Sequence, residues 1–263
     1  MSISSYAALD AVNFSTLKEF AISALRYKHR LSQPRVDTDG MRCGRIDHRA
    51  ILQPKTIADL PAWPGGNRIA AALKSFVAAN GEDYIWKESE REDALALSAA
   101  VHAHPVAGPL VRLPGECEKA IVKVHERTGV MRKARVDKLC IEKIVELKTS
   151  KQTLDPRMIQ RQIIGFNYHV QAAWYLDITG LDRFSWIFVE QNAPHDVAVV
   201  YASDEWIELG RHTYERWLDQ LVECRRTDRW PGVCDGAMEI DVPLWAAEIN
   251  TDPGLDLTGL EGL

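Results

Sequence analysis

The stretch RVDKLCIEKIVELKTS, residues 135–150, places charged side chains inside two short apolar segments. The apolar and β-branched residues, interrupted after LCI by the polar pair Glu142–Lys143, predict two strands joined by a tight turn. Asp137 lies in the first strand, and Glu146 and Lys148 lie in the second. Carboxylates and an ammonium destabilise such strands unless another group compensates their charges.

The position of the turn decides which residues face each other. With the turn centred between Ile141 and Glu142, Asp137 lies directly across from Glu146, and Lys148 shares the face of Glu146. Like charges in opposite positions destabilise a sheet, and the cost rises where the site is partly dry. A positive group is therefore expected there. Lys148 can neutralise one carboxylate, and a hard divalent cation such as Mg²⁺ would satisfy both.

Two simpler interpretations stay open at this point. The charges could form a structural salt bridge, Asp137 with Lys148 or Glu146 with Lys138, or the whole hairpin could be solvated. The apolar character of the strands disfavours the solvated hairpin. If a metal ion is present, the main-chain carbonyl of Leu147 could add a further ligand.

Two more residues are candidate metal ligands. Glu118 opens the preceding predicted strand, EKAIVKV, and Glu116, two residues earlier and of the same parity, competes with it. His48 lies at helical spacing in GRIDHRAIL, beside apolar positions. A lone strand glutamate is usually solvated, and a lone histidine is more often a core or surface residue than a ligand. Neither residue identifies a metal site by itself.

Basic residues concentrate around the opening stretch. Between Lys119 and Arg161 there are twelve Lys and Arg and five acids, a balance of +7, whereas the whole chain of 263 residues has a net charge of −5. The acidic total argues against a protein that binds nucleic acids through its overall charge. The local excess favours an anionic substrate over a solvated basic face.

The composition, with 46% hydrophobic and 26% charged residues, is that of a globular protein. No run approaches the roughly 18 apolar residues that span a bilayer, and the N-terminus has neither the basic start nor the apolar core of a signal peptide. We therefore predict a cytoplasmic protein without a membrane partner. The cysteines have no CxxC pair, which predicts reduced thiols and neither a structural zinc nor an iron–sulfur cluster. They are Cys43, Cys117, Cys140, Cys224 and Cys234.

Periodicity predicts the order of elements along the chain. Helices are expected over 14–31 (with Ser15 as candidate N-cap), from 41 onward, and over 67–79, 90–102, 156–177 and 203–226. Strands are expected over 117–125, 131–139, 143–149, 183–190 and 197–202, the first three as an antiparallel meander. Residues 53–66 are a predicted loop. In the last helix, one buried face should hold Trp206, Leu209, Thr213, Trp217 and Leu221.

This order predicts an α/β (α+β) fold with one central mixed sheet flanked by helices on both faces. No convincing domain boundary is visible. We expect one domain over residues 1–250, made of a helical N-terminal part (1–115), a core (116–202) and a closing segment (203–250). Residues 251–263 are acidic and glycine-rich, which is typical of a flexible tail.

The pair of strands also carries a known signature. Asp137 followed by Glu146–Leu147–Lys148 resembles the motif of the PD-(D/E)xK nuclease superfamily, with Val136 in place of the proline that often precedes the first acid. Longer segments resemble the RecE-type exonucleases (exonuclease VIII), relatives of the phage lambda exonuclease, over about residues 13–247. These segments are NFSTLKEFAISALRYKH, CGRIDH, TGVMRKARVDKLCIEKIVELKTS, FNYHVQAAWYLDITG, FVEQNAPHDVAVVYA and WPGVCDGAMEIDVPLWA.

The resemblance implies a restriction-endonuclease-like core and a role for each matching residue. Asp137 and Glu146 would bind Mg²⁺ or Mn²⁺, as two ions per site, together with the Leu147 carbonyl. His48 and Glu118 match the histidine and the first-strand acid that add metal ligands in this family. Lys148 would orient or help deprotonate the attacking water and stabilise the charged transition state.

The resemblance also implies contacts around the site. Gln171 and Tyr175 match a Gln–x–x–x–Tyr helix, where residues at i and i+4 share a face and can reach DNA or brace Lys148. Ser15 matches a contact for a terminal 5′-phosphate. The basic excess would hold the phosphate backbone without reading sequence. The cations assigned to this role are Arg135, Lys151, Arg157 and Arg161.

The implied function is a metal-dependent 5′→3′ exodeoxyribonuclease that degrades linear double-stranded DNA and leaves 3′ single-stranded overhangs for annealing recombination. The implied partners are double-stranded DNA ends, a ring-shaped homo-oligomer (tetramer or trimer) and a single-strand annealing protein in a bacterial or phage-infected cell. The tail after Asn250 would be a docking peptide for that protein or a disordered end.

Two other functions compete with this one. A PD-(D/E)xK endonuclease, or a Cas4-like nuclease without an iron–sulfur cluster, would use the same residues. A catalytically silent DNA-binding module would keep the fold alone, and the intact set of Asp137, Glu146 and Lys148 argues against it.

Overall fold

The computed structural model describes residues 6–33, 38–64 and 70–242. Within these ranges the strands are β1 Val12–Asn13, β2 Gly115–Val124, β3 Met131–Cys140, β4 Ile144–Ser150, β5 Phe184–Glu190 and β6 Val197–Tyr201. The α-helices are α1 Phe14–Leu17, α2 Ala24–Ser32, α3 Asp39–Leu52, α4 Ala70–Asn80, α5 Glu88–Ala103, α6 Ala107–Arg112, α7 Pro156–Gly165, α8 Tyr168–Thr179 and α9 Asp204–Thr227. Short 3₁₀ helices cover Lys18–Ala21 and Pro54–Thr56.

The six strands form one mixed sheet, in which β3 occupies the central position. Antiparallel β2 follows one edge of β3 along its whole length. On the other edge, parallel β1 pairs with the start of β3 and antiparallel β4 pairs with its end. β4 continues into parallel β5, which pairs with antiparallel β6. The predicted meander and the mixed sheet are confirmed.

The register between β3 and β4 is the predicted one. Lys138 pairs with Val145 and Leu139 with Ile144, so the turn is centred where the sequence placed it. The backbone ladder stops after these two pairs. The strands therefore separate at the next position, which is that of the acidic residues.

Helices cover both faces of the sheet, as expected for a mixed α/β fold. Alternate residues of β5 point to opposite faces, which explains why this strand is a continuous apolar run. Trp186 and Phe188 pack in one core with α8 and α9. Ile187 and Val189 pack in a second core with α3, α5 and α6.

The helix predicted over 156–177 is two helices. Asp155 caps α7, its carboxylate accepting from the backbone N–H groups of Arg157 and Met158. α7 ends at Gly165, and Asn167 adopts a left-handed conformation (φ 58°) before α8 begins. Asparagine tolerates this conformation better than most residues, which lets the chain change direction here.

The prediction of one N-terminal helix capped by Ser15 is wrong. Asn13 caps α1 by accepting from the N–H of Thr16. A 3₁₀ turn follows, and Ser23 caps α2 through the N–H of Arg26. Two capping side chains within ten residues divide the segment, because each one favours a new helix start over helix continuation.

The buried face of α9 is partly different from the predicted one. Ser203 caps the helix, and Trp217 and Leu221 are buried, but Leu209 is 47% exposed. The face is set by Gly210, where a Cβ would lie 2.2 Å from the carbonyl oxygen of His169, so α9 approaches α8 closely only at glycine. The remaining buried positions are Ile207, Tyr214, Leu218 and Cys224.

Three predictions concern residues that the structure does not describe. They are the start of the helix predicted over 67–79, the closing Pro243–Leu244–Trp245 and the tail over 251–263. In the described ranges, no helix has the length and apolar character needed to cross a membrane.

Candidate metal centre

The carboxylates lie where β3 and β4 separate. Asp137 Oδ2 accepts a hydrogen bond of 2.9 Å from the backbone N–H of Leu147, and Glu146 Oε2 lies 3.4 Å from the backbone N of Asp137. These contacts take the place of the backbone pair that the register would put at this position. Both side chains are buried, with the residues 8% and 3% exposed.

A third carboxylate and an imidazole meet Asp137 from two other elements. Glu118 stands opposite Asp137 in the β2 register, and its left-handed backbone (φ 53°) interrupts the ladder there. His48, from α3, places Nδ1 3.3 Å from Asp137 Oδ2. Each of these three residues offers a ligand atom, and the atoms lie within 4.8 Å of one another.

The structure separates the two glutamates that competed for the third position. Glu116 is exposed and forms a 2.7 Å ion pair with Lys119. Glu118 is the one that joins His48 and Asp137. Of the predicted metal ligands, Glu146 lies beside this group, and Leu147 contacts it through its N–H.

Lys148 is held by a network that includes both residues of the Gln–x–x–x–Tyr helix. Its Nζ donates to Glu146 Oε1 at 3.1 Å and to Gln171 Oε1 at 2.9 Å. The amide of Gln171 in turn donates to Glu146 Oε1 at 2.8 Å and to the Tyr175 hydroxyl oxygen at 3.1 Å. The Lys148 ion pair thus involves Glu146, and Gln171 braces both members of it.

Tyr168 is a member of this network that sequence reasoning missed. The Lys148 ammonium lies 4.4 Å from the centre of its ring, a cation–π contact. Tyr168 is the first residue of α8, three positions before Gln171, so the helical spacing of FNYHVQ could have pointed to it.

The acids of the site repel one another, and their pKa values show it. Burial raises the pKa of Glu146, and the negative charge of Asp137 raises it further, to about 7, despite Lys148. Burial and Asp137 also raise the pKa of Glu118. Burial opposes the charged form of His48, but Asp137 and Glu118 outweigh it and bring its pKa to about 9. The same contact lowers the pKa of Asp137 against the effect of burial.

These residues fit a divalent metal ion. Two carboxylates and one imidazole converge, and Glu146 lies beside them; burial and the negative charge of Asp137 raise the pKa values of Glu118 and Glu146, so a bound cation would stabilise their charged forms. Carboxylate oxygens and imidazole nitrogen are ligands for Mg²⁺ and Mn²⁺. Because ligands bind a metal in their deprotonated forms, binding would release protons from this cluster.

Two clefts adjoin the site, and Arg135 lines both. One, of about 900 Å³, also contains Ser15, Lys18 and Gln171. The other, of about 660 Å³, contains His48 and further residues of α3. Arg135 was predicted to contact DNA, and it forms a 2.5 Å ion pair with Glu118. Lys18 was not predicted, although it follows Ser15 by one helical turn.

The basic residues around the site do not form one continuous, unpaired positive surface. Lys133 donates to the backbone oxygens of Tyr6, Ala7 and Leu9, and Arg127 pairs with Glu215 and Asp219. Lys119, Arg135 and Lys148 are also paired with acids. Counting charges along the sequence therefore overstated the positive surface. The predicted contacts Lys151, Arg157 and Arg161 are exposed.

Comparison with known proteins identifies a family and a fold. The sequence matches the family described as "PDDEXK-like domain of unknown function (DUF3799)" over residues 13–241. Among curated proteins, none matches. The fold is similar to the crystal structure of a proposed exonuclease from Eubacterium rectale, with a TM-score of 0.63 and 14% identity, over 97% of this chain and 99% of that chain.

Two further crystal structures are similar at lower scores. An alkaline exonuclease from Laribacter hongkongensis gives a TM-score of 0.33 at 12% identity, over 86% of this chain and 97% of that chain. A phage-related exonuclease from Haemophilus somnus 129PT gives 0.35 at 10% identity, over 82% and 96% of the two chains.

Proposed function

The chain belongs to the PDDEXK-like family DUF3799, and on that premise we propose that it is a metal-dependent nuclease, specifically a 5′→3′ exonuclease of linear double-stranded DNA. A shared fold does not fix an activity, so the proposal depends on the site. The observation that carries it is the meeting of His48, Glu118 and Asp137 directly beside the Glu146–Lys148 pair.

The residues divide into those that would hold metal and those that would act on the phosphate. His48, Glu118, Asp137 and Glu146 would hold Mg²⁺, with Mn²⁺ as a substitute and two ions as the proposed number. When bound, the metal would supply positive charge for the phosphate oxygens and make a water molecule more acidic. The carbonyl of Leu147 is a further proposed ligand.

Lys148 would act on the scissile phosphate. Its Nζ donates to Glu146 and Gln171, which leaves one of its three N–H groups for a phosphate oxygen or the attacking water. Gln171 and Tyr168 fix its position, so its charge needs little reorganisation as negative charge develops in the transition state. The raised pKa of Glu146 indicates a carboxylate that gains from a nearby cation.

The larger cleft supports an activity that begins at a DNA end. Ser15 and Lys18 line it together with Gln171, so a terminal 5′-phosphate bound at Ser15 would share the cleft with the residue that holds Lys148. Lys151, Arg157 and Arg161 are proposed to contact the phosphate backbone. Digestion from the 5′ end would leave a 3′ overhang for a single-strand annealing protein. We further propose a ring-shaped homo-oligomer that keeps hold of the duplex.

The test is digestion of a linear duplex with a 5′-phosphate, the same duplex with a 5′-hydroxyl, and a closed circle, each in Mg²⁺ and in EDTA. We expect Mg²⁺-dependent loss of the linear forms, fastest with the 5′-phosphate, and an intact circle. Cutting of the circle would show an endonuclease. Binding of DNA by folded protein without digestion in Mg²⁺ or Mn²⁺ would show a non-catalytic module.

A further inference from the structure

An exposed aromatic residue lies in the turn between α7 and α8, next to the site. Phe166 is 52% exposed. Its ring centre lies 5.4 Å from that of Tyr168, with the two planes inclined by 32°. The Tyr168 ring in turn lies 4.4 Å from Lys148 Nζ. A continuous aromatic surface therefore leads from solvent to the lysine proposed to act on the phosphate.

The backbone fixes this arrangement. The left-handed conformation of Asn167 separates the two helices, so Phe166 and Tyr168 flank the change of direction. Tyr168 is held on its inner side by Phe188, with ring centres 6.3 Å apart. Phe166 thus has a supported ring behind it and water in front of it. This leaves one face of an aromatic pair available.

The exposure of one apolar residue does not indicate a function by itself, because most proteins expose several. At Phe166 the exposure is informative because of the residues around it. By the two ring distances, its centre lies within about 10 Å of Lys148 Nζ. One strand of B-DNA rises about 3.4 Å along the helix axis per nucleotide, and an unpaired strand extends further, so at most about three nucleotides cover this distance. Arg157 and Arg161 are exposed one helical turn apart on α7, the helix that leads to Phe166.

We propose that Phe166, supported by Tyr168, stacks on an unpaired nucleobase of the strand whose phosphate lies at Lys148. This proposal rests on the nuclease function above and adds the part of the substrate that the turn recognises. Cations for the backbone combined with an aromatic face for the bases form the pattern of single-strand binding. Stacking accepts every base, because each has a π-face, and this suits an enzyme that moves along any sequence.

The experiment crosses a change in the protein with a change in the DNA. Wild type and Phe166→Ala are each given duplexes in which one of the first three nucleotides at the 5′ end is intact or abasic. Two quantities are measured: kcat/KM for digestion in Mg²⁺, and the dissociation constant in EDTA by fluorescence anisotropy. We expect Phe166→Ala to weaken binding of intact DNA about ten-fold, within the range of base–aromatic stacking.

Removal of the base that stacks on Phe166 should weaken DNA binding by the wild type by a similar factor. Combining the abasic DNA with Phe166→Ala should weaken binding no more than either change alone.

Further variants separate stacking from other roles of the ring. Phe166→Trp should restore binding of intact DNA, whereas Phe166→Leu, which keeps apolar volume without a π-face, should remain weak. Tyr201→Ala, at another exposed aromatic residue (60% exposed) on the edge strand β6, is the matched control and should leave all values unchanged. The Tm of each variant shows whether Phe166 stabilises only the turn.

The results distinguish this proposal from the proposed function. In one outcome the wild type digests DNA, and at every abasic position the loss of affinity multiplies with the loss caused by Phe166→Ala. Phe166 then does not stack on a base, and the nuclease assignment stands. If the wild type digests no DNA, the nuclease assignment fails, and the binding cycle in EDTA still decides whether a base stacks on Phe166. Equal binding of intact and abasic DNA by the wild type would overturn the stacking proposal.

Discussion

The glutamates beside the end of β3 and the acids beside its start have pKa values shifted in opposite directions. Near its end, Asp137 meets Glu118 and Glu146, and the pKa values of both glutamates are raised. Near its start, the acids Asp177 and Glu215 have lowered pKa values. Asp177 and Glu215 are half-buried, whereas Glu146 is buried, so burial contributes to the difference together with the charges of the neighbouring groups.

The group at the start of β3 has a cation for each acid. Asp177 accepts hydrogen bonds of 2.9 Å from Nε and Nη2 of Arg211, and a further one from the Tyr214 hydroxyl. Glu215 accepts from His125 at 2.8 Å and from Arg127. Charge-assisted and partly bidentate pairs of this kind stabilise the charged forms. We call these residues the matched cluster.

The candidate metal centre is arranged differently. His48, Arg135 and Lys148 contact its acids, but Asp137 lies beside both Glu118 and Glu146, and its negative charge raises the pKa values of both glutamates. Such an arrangement lowers the stability of the isolated protein and marks sites that bind or react. The comparison teaches that like charges placed side by side, which a bound cation would compensate, are the mark of a functional site. Charged residues that compensate each other in ion pairs are not.

The largest expected effect is the loss of nuclease activity when a residue of the candidate metal centre is replaced. Lys148→Ala should lower kcat/KM for Mg²⁺-dependent digestion of linear duplex by roughly 10²- to 10³-fold, the loss typical when a group that stabilises transition-state charge is removed. The fold should persist, as monitored by circular dichroism. Lys55→Ala, an exposed lysine in the 3₁₀ helix, is the control. Undiminished digestion by pure Lys148→Ala would remove this residue from the mechanism.

Breaking the matched cluster should lower stability and leave metal binding intact. In Asp177→Asn, Arg211 and Tyr214 lose a charged acceptor, and the free energy of unfolding should fall by about 1–3 kcal/mol, since the pair is only partly exposed. Urea denaturation measures this change. Asp219→Asn, at a more exposed acid, should change stability by less than about 0.5 kcal/mol. Equal effects of the two substitutions would contradict the comparison.

Changing one carboxylate of the metal centre should weaken metal binding without the same loss of stability. Glu118→Gln removes a ligand and should raise the Mn²⁺ dissociation constant by about ten-fold or more, about 1.4 kcal/mol. Isothermal titration calorimetry and the Mn²⁺-induced rise in Tm report it. Glu116→Gln, two residues away and exposed, is the matched control. A larger effect at Glu116 would reverse the assignment of the third carboxylate.

The last expected effect is on the pH dependence of stability. The pKa of Glu146 is about 7 in the folded protein and about 4.3 in an unfolded chain. Between these values the folded state holds the extra proton, so stability in EDTA should fall as pH rises from 5 to 8. A shift of a few degrees in Tm is expected, smaller in Glu146→Gln and retained in Asp177→Asn. If the Tm of the wild type rises from pH 5 to pH 8, and that of Glu146→Gln does not, then the pKa of Glu146 is not raised in the folded protein.

The sequence predicted the parts of this architecture that depend on local pattern. The register of β3 and β4 followed from alternation and the turn, and Asp137, Glu146 and Lys148 are together as a consequence. Gln171 and Tyr175 lie at i and i+4 on one helix and were placed beside Lys148 by the resemblance. The order along the chain of β2 to β6 also followed from periodicity, whereas β1 was not predicted.

Other features depend on contacts that sequence spacing does not contain. Glu118 was preferred to Glu116 by the resemblance, but only the backbone turn at φ 53° shows how it reaches Asp137. The buried face of α9 depends on close approach at Gly210, and the helix break depends on the left-handed Asn167. Several basic residues also form ion pairs or hydrogen bonds with distant parts of the chain, which a count of charges along the sequence does not show.

The two-residue strand β1 has a consequence for how the chain is made. Val12 pairs with Arg132 and Asn13 with Lys133, and Lys133 also binds the carbonyls of Tyr6, Ala7 and Leu9. At 5–20 residues per second, β3 leaves the ribosome on the order of ten seconds after β1. During that time the N-terminal segment has no partner, and the wall of the larger cleft is missing. A chain interrupted before β3 is complete would therefore carry neither this wall of the cleft nor Asp137.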